Sequence, residues 1–446
     1  MKILFISLGC DKNLVDTEVM LGFLTDAGYS LTDDENEADI AIVNTCSFIL
    51  DAKEESINTI LEMAELKKTG SLKVLLVCGC LAQRYAGDLK EEIPEIDGIL
   101  GTMALPEIVE AVNEALNGKR PVVLPDINRE LPTYDKRIVT SGGYSANLKI
   151  AEGCNKRCTY CAIPSMRGSY RSFPMEHLIK EAEYLVNEVG VKELILVAQE
   201  TTLYGVDIYG KKSLPVLLEK LSEIEELRWI RILYCYPEEI DEELIRTIAG
   251  LPKVCHYLDV PIQHASDDVL KRMGRRTNNA ELREKIAMIR KIIPDICLRT
   301  TLITGFPGET EEDFITLYNF VDEMEFDRLG VFAYSKEEGT PAALMENQIP
   351  DSVKEQRKDE LLMLQQEIAF EKAEEKVGSS FDVIVEGKLT GEDTYVTRTY
   401  MDAPDVDGYL FLHTTAELVS GDIVRANVTG CNEYDLIGVL SDECSE

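Results

Sequence analysis

Histidine is scarce in this chain, with four among 446 residues. A metal centre here must therefore draw mainly on other donors. Long apolar runs are missing too. None reaches the roughly 18–20 residues needed to cross a bilayer, so no membrane partner is expected. The opening stretch Met1–Leu8 reads as a short strand. It lacks the charged start, apolar middle and small-residue cleavage site of a signal peptide. Positive charge is in deficit: 46 Lys and Arg face 81 Asp and Glu, a net charge of −35. Such a surface repels nucleic-acid phosphates unless basic residues gather somewhere, and it suits a basic protein partner better. Internal repeats and low-complexity tracts are absent as well. What these absences leave is a cytoplasmic globular protein, long enough for two or three domains with their own cores.

Cysteine, by contrast, is plentiful, at twelve residues. In a reducing compartment, clustered cysteines are more often metal ligands or redox groups than disulfides. All-thiolate sites point to iron–sulfur clusters or structural zinc.

The chain divides into three. Residues 1–132 alternate helices with short apolar strands, Lys2–Leu8, Asp39–Asn44 and Lys73–Cys78. Continuous apolar runs separated by helices indicate an open, buried parallel α/β sheet. Pro121 to Gly143 is rich in Pro, Gly and charge, and 133–143 is read as a linker. Residues 144–376 hold six strand-like runs, at 147–151, 193–198, 230–235, 257–262, 298–303 and 329–334. Helices such as 176–189 and 311–324 lie between them, with apolar residues at three- and four-residue spacing. Six βα units suggest a partial parallel barrel, short of a full eight. A long charged helix, Asp351–Lys376, follows. Residues 377–446 carry alternating strands with Gly-containing turns, as in a small antiparallel β-barrel of the OB kind.

Cys154, Cys158 and Cys161 form a C-x3-C-x2-C run directly after the first strand of the six-unit barrel. Three thiolates on one loop can ligate three irons of a [4Fe–4S] cluster and leave the fourth open. The loop falls at a strand's carboxyl end, where chemistry belongs in such a barrel. A structural zinc site with a distant fourth ligand is the alternative, but zinc ligands usually arrive as paired C-x2-C units. Cys10, Cys46 and Cys80 are far apart in sequence, yet each lies just past the carboxyl end of a strand of the first sheet. Those ends line one crevice, so the three can hold a second cluster. Three buried cysteines acting as small apolar residues are the alternative. Cys78 lies inside its strand and is left out. Cys235, Cys255, Cys297, Cys431 and Cys444 have no motif context and read as core or surface thiols.

The spacing at 154–161 closely resembles that of radical S-adenosylmethionine enzymes. Leu8-Gly-Cys-Asp-Lys-Asn13 with Asp16 and Glu18, Asn44-Thr-Cys46, and Gly79-Cys-Leu-Ala-Gln83 resemble the N-terminal domain of their methylthiotransferase family. The C-terminal part resembles the TRAM domain, so the likeness spans nearly the whole chain. It implies two [4Fe–4S] clusters, with Cys10, Cys46 and Cys80 holding the auxiliary one and Cys154, Cys158 and Cys161 the other. It also implies S-adenosylmethionine as methyl donor and radical source, and an electron donor such as flavodoxin or ferredoxin. Polar groups at strand ends are candidates to bind S-adenosylmethionine: Gln199, Glu200, Tyr236, Gln263, His264, Arg299 and Ser335. At Gly305, in Thr304-Gly-Phe-Pro-Gly308, backbone can approach the adenine. His264 reads equally as a hydrogen-bonded core histidine. Arg167 and Arg171 read as facing substrate or cofactor, or as solvated.

Two branches of the family compete. One (MiaB-like) modifies an adenosine in transfer RNA. The other (RimO-like) modifies the β-carbon of an aspartate in ribosomal small-subunit protein S-twelve. Ser7–Asp16, Asn44–Phe48 with Asp51–Ser56, and Cys161–Gly168 resemble the second. One departure is Ser172-Phe173-Pro174, where that branch often carries a further arginine. Charge argues the same way. Residues 377–446 hold three Lys and Arg (Lys388, Arg398, Arg425) against fourteen Asp and Glu. A module gripping RNA should be basic, whereas an acidic one docks a basic ribosomal protein. Transfer RNA is therefore not expected as a partner. The basic stretch Lys271–Arg276 is a candidate contact to ribosomal RNA, or a solvated helix end. Two rivals stand apart from the family: a radical enzyme of another reaction type, and a ribosome-associated binding protein with structural zinc.

Overall fold

The computed structural model describes residues 1–70, 72–134 and 136–441; Cys444 lies outside the described residues. The first sheet is made of β1 (Lys2–Ser7), β2 (Ser30–Leu31), β3 (Ile40–Thr45), β4 (Val74–Gly79), β5 (Gly98–Leu100) and β6 (Val122–Val123). Its order is β2-β1-β3-β4-β5-β6, and every pair is parallel. β3 and β4 are apolar along almost their whole length because helices cover both faces. Ile40 and Ile42 meet Val15, Val19 and Val112 from helices Asp11–Asp26 and Ile108–Leu116. Ala41 and Val43 meet Ile60, Met63 and Leu81 from helices Leu50–Thr69 and Cys80–Glu92. Each fully buried aliphatic side chain contributes about 1.5–3 kcal/mol.

The described residues of 133–143 pack against both neighbours. Arg137 is buried and pairs with Glu18 of the first unit and, at 2.9 Å, with Glu181 of the second. The Ile138 amide donates to the Glu18 carbonyl at 3.1 Å.

The second unit opens with β7 (Ser145–Lys149), then a separate short antiparallel pair, β8 (Ala151–Glu152) with β9 (Arg171–Ser172), that brackets the cysteine loop. It continues with β10 (Glu193–Val197), β11 (Trp229–Ile232), β12 (Val254–Asp259), β13 (Cys297–Thr304) and β14 (Arg328–Ala333). Strands β7 and β10–β14 lie side by side in chain order, all parallel. This is an open six-stranded barrel. The helices between the strands are set by local sequence. Helix Glu311–Met324, for example, starts at a capping box in which Thr310 accepts from the Asp313 amide at 3.1 Å and Asp313 reaches back. Along β10, Leu194 and Leu196 face the outer helices, and Glu193, Ile195 and Val197 point inward. Helix Asp351–Glu375 covers the β14 edge, and helix Asp11–Asp26 packs on β7.

The third unit is a closed barrel of β15 (Ser380–Lys388), β16 (Thr394–Arg398), β17 (Leu410–His413), β18 (Ile423–Asn432) and β19 (Asp435–Leu440). It is antiparallel except between β17 and β19, which run parallel. Its core residues Val383, Val385 and Leu410 continue into Ile195, Val197, Cys255, Tyr257 and Cys297 on the inner face of the open barrel. Glu193 ties the two together, 2.8 Å from Arg231 and 2.7 Å from Arg398. Burial would raise the Glu193 carboxyl, but the two guanidinium groups hold it down at about 2.

Candidate active site

β1, β3 and β4 are neighbours in register, with Ser7 opposite Asn44 and Asn44 opposite Cys78. The loops that follow these strands therefore sit side by side. Cys10 ends the first loop and caps helix Asp11–Asp26, Cys46 directly follows β3, and Cys80 opens the helix after β4. Gly9 adopts φ +90°, and a Cβ there would lie 2.7 Å from the Cys46 Cβ, so only glycine lets the first loop close on the second. Asn13 laces the loops, donating to the Leu8 carbonyl at 3.0 Å and the Thr45 carbonyl at 2.9 Å. Asn44 donates to the Asn13 carbonyl at 2.9 Å. The three cysteines are close enough to feel one another's charge. Cys78, on β4, faces the helix-covered core instead.

Cys154, Cys158 and Cys161 lie on the loop between β8 and β9, past the carboxyl end of β7. The Cys154 amide donates to the Gly168 carbonyl at 3.1 Å, and the Thr159 amide to the Met273 carbonyl at 2.9 Å. The Tyr236 hydroxyl is 3.7 Å from Cys158 Sγ. Burial pushes the Cys154 and Cys80 thiols up to about 11, so ligation has to displace their protons. Among the described residues no three Cys, His, Asp or Glu donors draw together tightly enough for a single metal ion. A four-iron cluster puts its thiolates on separate irons and asks for a wider triangle. Each cysteine set, with Cys10 exposed in one and Cys161 half-buried in the other beside two buried cysteines, fits that group.

One short helix joins the two sets. Ile163–Arg167 begins two residues after Cys161, and its Met166 packs with Ala162 against Cys80. The Met166 carbonyl accepts from Thr102 at 2.7 Å. Arg167, fully buried, reaches Asp16 at 2.6 Å, Glu152 at 2.9 Å, and Asn13. It also pulls the Cys80 thiol back against burial. Lys149 completes the network with Asp16 and, at 3.1 Å, Glu152. Across the mouth, Glu337 after β14 is paired to Lys53 at 2.8 Å and Arg84 at 3.2 Å, both from the first unit.

The strand-end residues have varied surroundings. Gln199 donates to Glu152 at 2.8 Å, beside the cysteine loop. Glu200 is buried near Lys156, and burial raises its carboxyl to about 7. Gln263 takes φ +69° and bridges to Leu302. His264 is fully buried, accepting from the Ser266 amide at 2.9 Å and facing Glu309 at 3.5 Å. Arg299 pairs with Asp259 at 3.0 Å and Asp407 at 3.5 Å, where the third unit meets the barrel. Gly305 is pressed against Lys354. Ser335 donates to Glu337 at 2.8 Å. Arg167 is buried, whereas Arg171 is half-buried and donates to the Arg167 carbonyl at 2.9 Å. In the stretch Lys271–Arg276, Lys271 and Arg276 are exposed. Arg275 is buried, stacked 4.3 Å over the Tyr236 ring.

Sequence reasoning missed Lys149, Lys12 and Glu337. Lys149 sits inside a barrel strand and Glu337 in a loop, and neither carries a local motif. Lys12 did stand within the first cysteine motif. Its ammonium lies 3.3 Å from the centroid of the Tyr234 ring.

Residues 2–101 match the uncharacterized protein family UPF0004, 148–321 the Radical SAM superfamily and 377–440 the TRAM domain. The chain is 62% identical to the ribosomal protein uS12 methylthiotransferase RimO of Lachnoclostridium phytofermentans over 98% of this chain and 99% of that one. It is 50% identical to the RimO of Clostridioides difficile, covering 98% of each. Among solved structures, the radical S-adenosylmethionine methyltransferase TsrM of Kitasatospora setae, with cobalamin and a [4Fe-4S] cluster bound, aligns at TM-score 0.56 and 16% identity over 77% of each chain, a likeness of fold. Two cysteine sets linked through one short helix, on a chain that matches such relatives end to end, have one consistent reading: the protein belongs to the RimO family of ribosomal protein uS12 methylthiotransferases.

Proposed function

We propose that this protein methylthiolates the β-carbon of an aspartate in ribosomal protein uS12, with S-adenosylmethionine as methyl donor and radical source. The observation that carries the reading is that the helix Ile163–Arg167, beginning two residues after Cys161, packs through Met166 against Cys80 of the other three-cysteine set. Cys10, Cys46 and Cys80 hold an auxiliary [4Fe–4S] cluster, and Cys154, Cys158 and Cys161 hold the cluster that binds S-adenosylmethionine. When bound, these groups supply a 5′-deoxyadenosyl radical on the barrel side and a methylthio group on the other. A β-carbon has no activated C–H bond, so acid–base chemistry alone does not functionalise it.

The chain's own residues keep the two sides in register. Arg167 and Lys149 supply positive charge between the sets, balanced by Asp16 and Glu152. Gln199, Glu200, Gln263, His264, Arg299, Gly305 and Ser335 are candidates for the S-adenosylmethionine site. Of these, Gln199 and Glu200 have the strongest support, through their contacts with Glu152 and Lys156. Residues 1–132, 144–376 and 377–446 act as cluster, radical and docking units, joined by 133–143. The acidity of the last unit supports a basic protein substrate and disfavours transfer RNA. A flavodoxin or ferredoxin serves as electron donor. A ribosomal substrate supports a cytoplasmic location, and no helix among the described residues is long and apolar enough to cross a membrane.

The test is a mass-spectrometric product assay. Protein reconstituted anaerobically with iron and sulfide receives S-adenosylmethionine and a reductant, with uS12 and unmodified transfer RNA offered in parallel. A methylthio increment on an aspartate of uS12, with the RNA unchanged, is expected. An increment on adenosine instead would overturn the substrate, and deoxyadenosine with neither product would leave only radical chemistry.

A further inference from the structure

Most of the cations at or near the junction of the first two units hold a carboxylate. Lys149 and Arg167 hold Asp16 and Glu152, Lys156 holds Glu239, and Lys53 and Arg84 share Glu337. Lys12 differs. Its side chain is buried, with 6% of the residue exposed, and its ammonium makes no ion pair among the described residues. It rests instead on the face of Tyr234. Asp11, the next residue back, turns its carboxylate to the Tyr234 hydroxyl, 3.2 Å away. Asp11 and Cys10 lie near enough for their charge to favour the ammonium, but among the described residues no carboxylate comes within ion-pair distance of it. A tyrosine face supplies less than the desolvation of an ammonium costs, so this cation has room for a direct anionic partner.

Its position says which anion. Lys12 is two residues from Cys10. Tyr234, under its ammonium, is two residues from Tyr236, whose hydroxyl touches Cys158. The segment Tyr234-Cys235-Tyr236 thus runs from one cysteine set to the other, with Lys12 standing over it. Tyr234 takes φ +60° there, a backbone state that a β-substituted residue seldom adopts without tertiary constraint. A carbon that loses hydrogen on the Cys158 side and gains sulfur on the Cys10 side must sit between them.

We infer that Lys12 is the specificity-determining residue that binds the carboxylate of the substrate aspartyl side chain, holding the reacting carbon, one bond away, between the two cysteine sets. This rests on the reading of the substrate given above. The carboxylate enters as a charge-assisted partner to a cation already desolvated, whereas a neutral amide of the same shape leaves the charge unpaired. Lys12 thereby selects an acidic side chain over a neutral one.

The test compares equilibrium binding, by fluorescence anisotropy and without reductant, of two labelled forms of uS12 to the cluster-loaded protein. One carries the aspartate identified by the product assay; the other carries asparagine there. The unsubstituted protein is expected to bind the aspartate form at least about tenfold more tightly. Lys12→Met should abolish that preference by weakening the aspartate form alone, and Lys12→Arg should retain part of it. Iron content and melting midpoint identify variants that are folded and loaded. Lys12→Gln serves if Lys12→Met is not. Equal binding of both forms by the unsubstituted protein overturns the inference without any variant. So does a preference that survives in a loaded Lys12→Met, as expected if Lys12 held the carboxylate of S-adenosylmethionine instead. If the product assay yields no methylthiolated aspartate, the substrate reading fails first and this inference falls with it.

Discussion

Arg167 Nη1 lies 2.6 Å from Asp16 Oδ2, joining residues 151 positions apart in the chain and on opposite sides of the boundary between the first sheet and the open barrel. The same guanidinium touches Glu152 at the edge of one cysteine loop and stands near Cys80 of the other set.

Arg167→Met should therefore do more than remove a surface charge. It leaves Asp16 and Glu152 buried with Lys149 as their remaining cation, at a cost of about 3–5 kcal/mol. Thermal unfolding should shift down. Iron and sulfide content should fall toward one cluster, because the seat of Cys80 loses its support. Unchanged melting and full iron would refute the structural role.

The two cysteine sets should lose iron independently. Cys80→Ala and Cys158→Ala are each expected to retain about four irons per chain, the complement of a single cluster. Cys78→Ala, a buried core thiol, should keep both clusters and lose on the order of 1 kcal/mol of stability. Iron analysis with absorbance spectra separates the three outcomes.

Glu193 gives a pH signature. Its folded-state carboxyl lies near 2 against an ordinary value of 4.5, so its contribution is fully present above about 4.5 and is lost as pH falls toward 2. Glu193→Gln leaves the Arg231 and Arg398 guanidinium groups without their buried anion and should cost about 3–5 kcal/mol near neutrality. The difference from the unsubstituted protein should shrink on acidification through that window. Urea unfolding across the range measures it, and a pH-independent difference would argue against the ion pair as its origin.

Glu337→Ala removes the shared carboxylate of Lys53 and Arg84. Amides in the segment 46–56 should exchange faster with solvent, while the β3 and β4 amides, inside the sheet, stay protected. Hydrogen-exchange mass spectrometry reads both sets in one experiment.

Much of this protein is settled by sequence alone. Continuous apolar runs and the helical patterns between them mark the strands of the two parallel sheets, because burial on both faces demands apolar strands with amphipathic helices beside them. The C-x3-C-x2-C spacing and the recurrence of cysteine after three strands mark both sets, because parallel strands must bring their carboxyl ends to one side. The parallel β17–β19 pair was not legible, since strand pattern fixes alternation but not partner or direction. Nor were the assignments of Lys149, Lys12 and Glu337, or the burial of Arg167. A charged residue reads as solvated until the chain wraps another unit over it. Only the tertiary structure decides which carboxylate or ring it meets, because those partners lie up to hundreds of residues away and leave no mark on the local pattern.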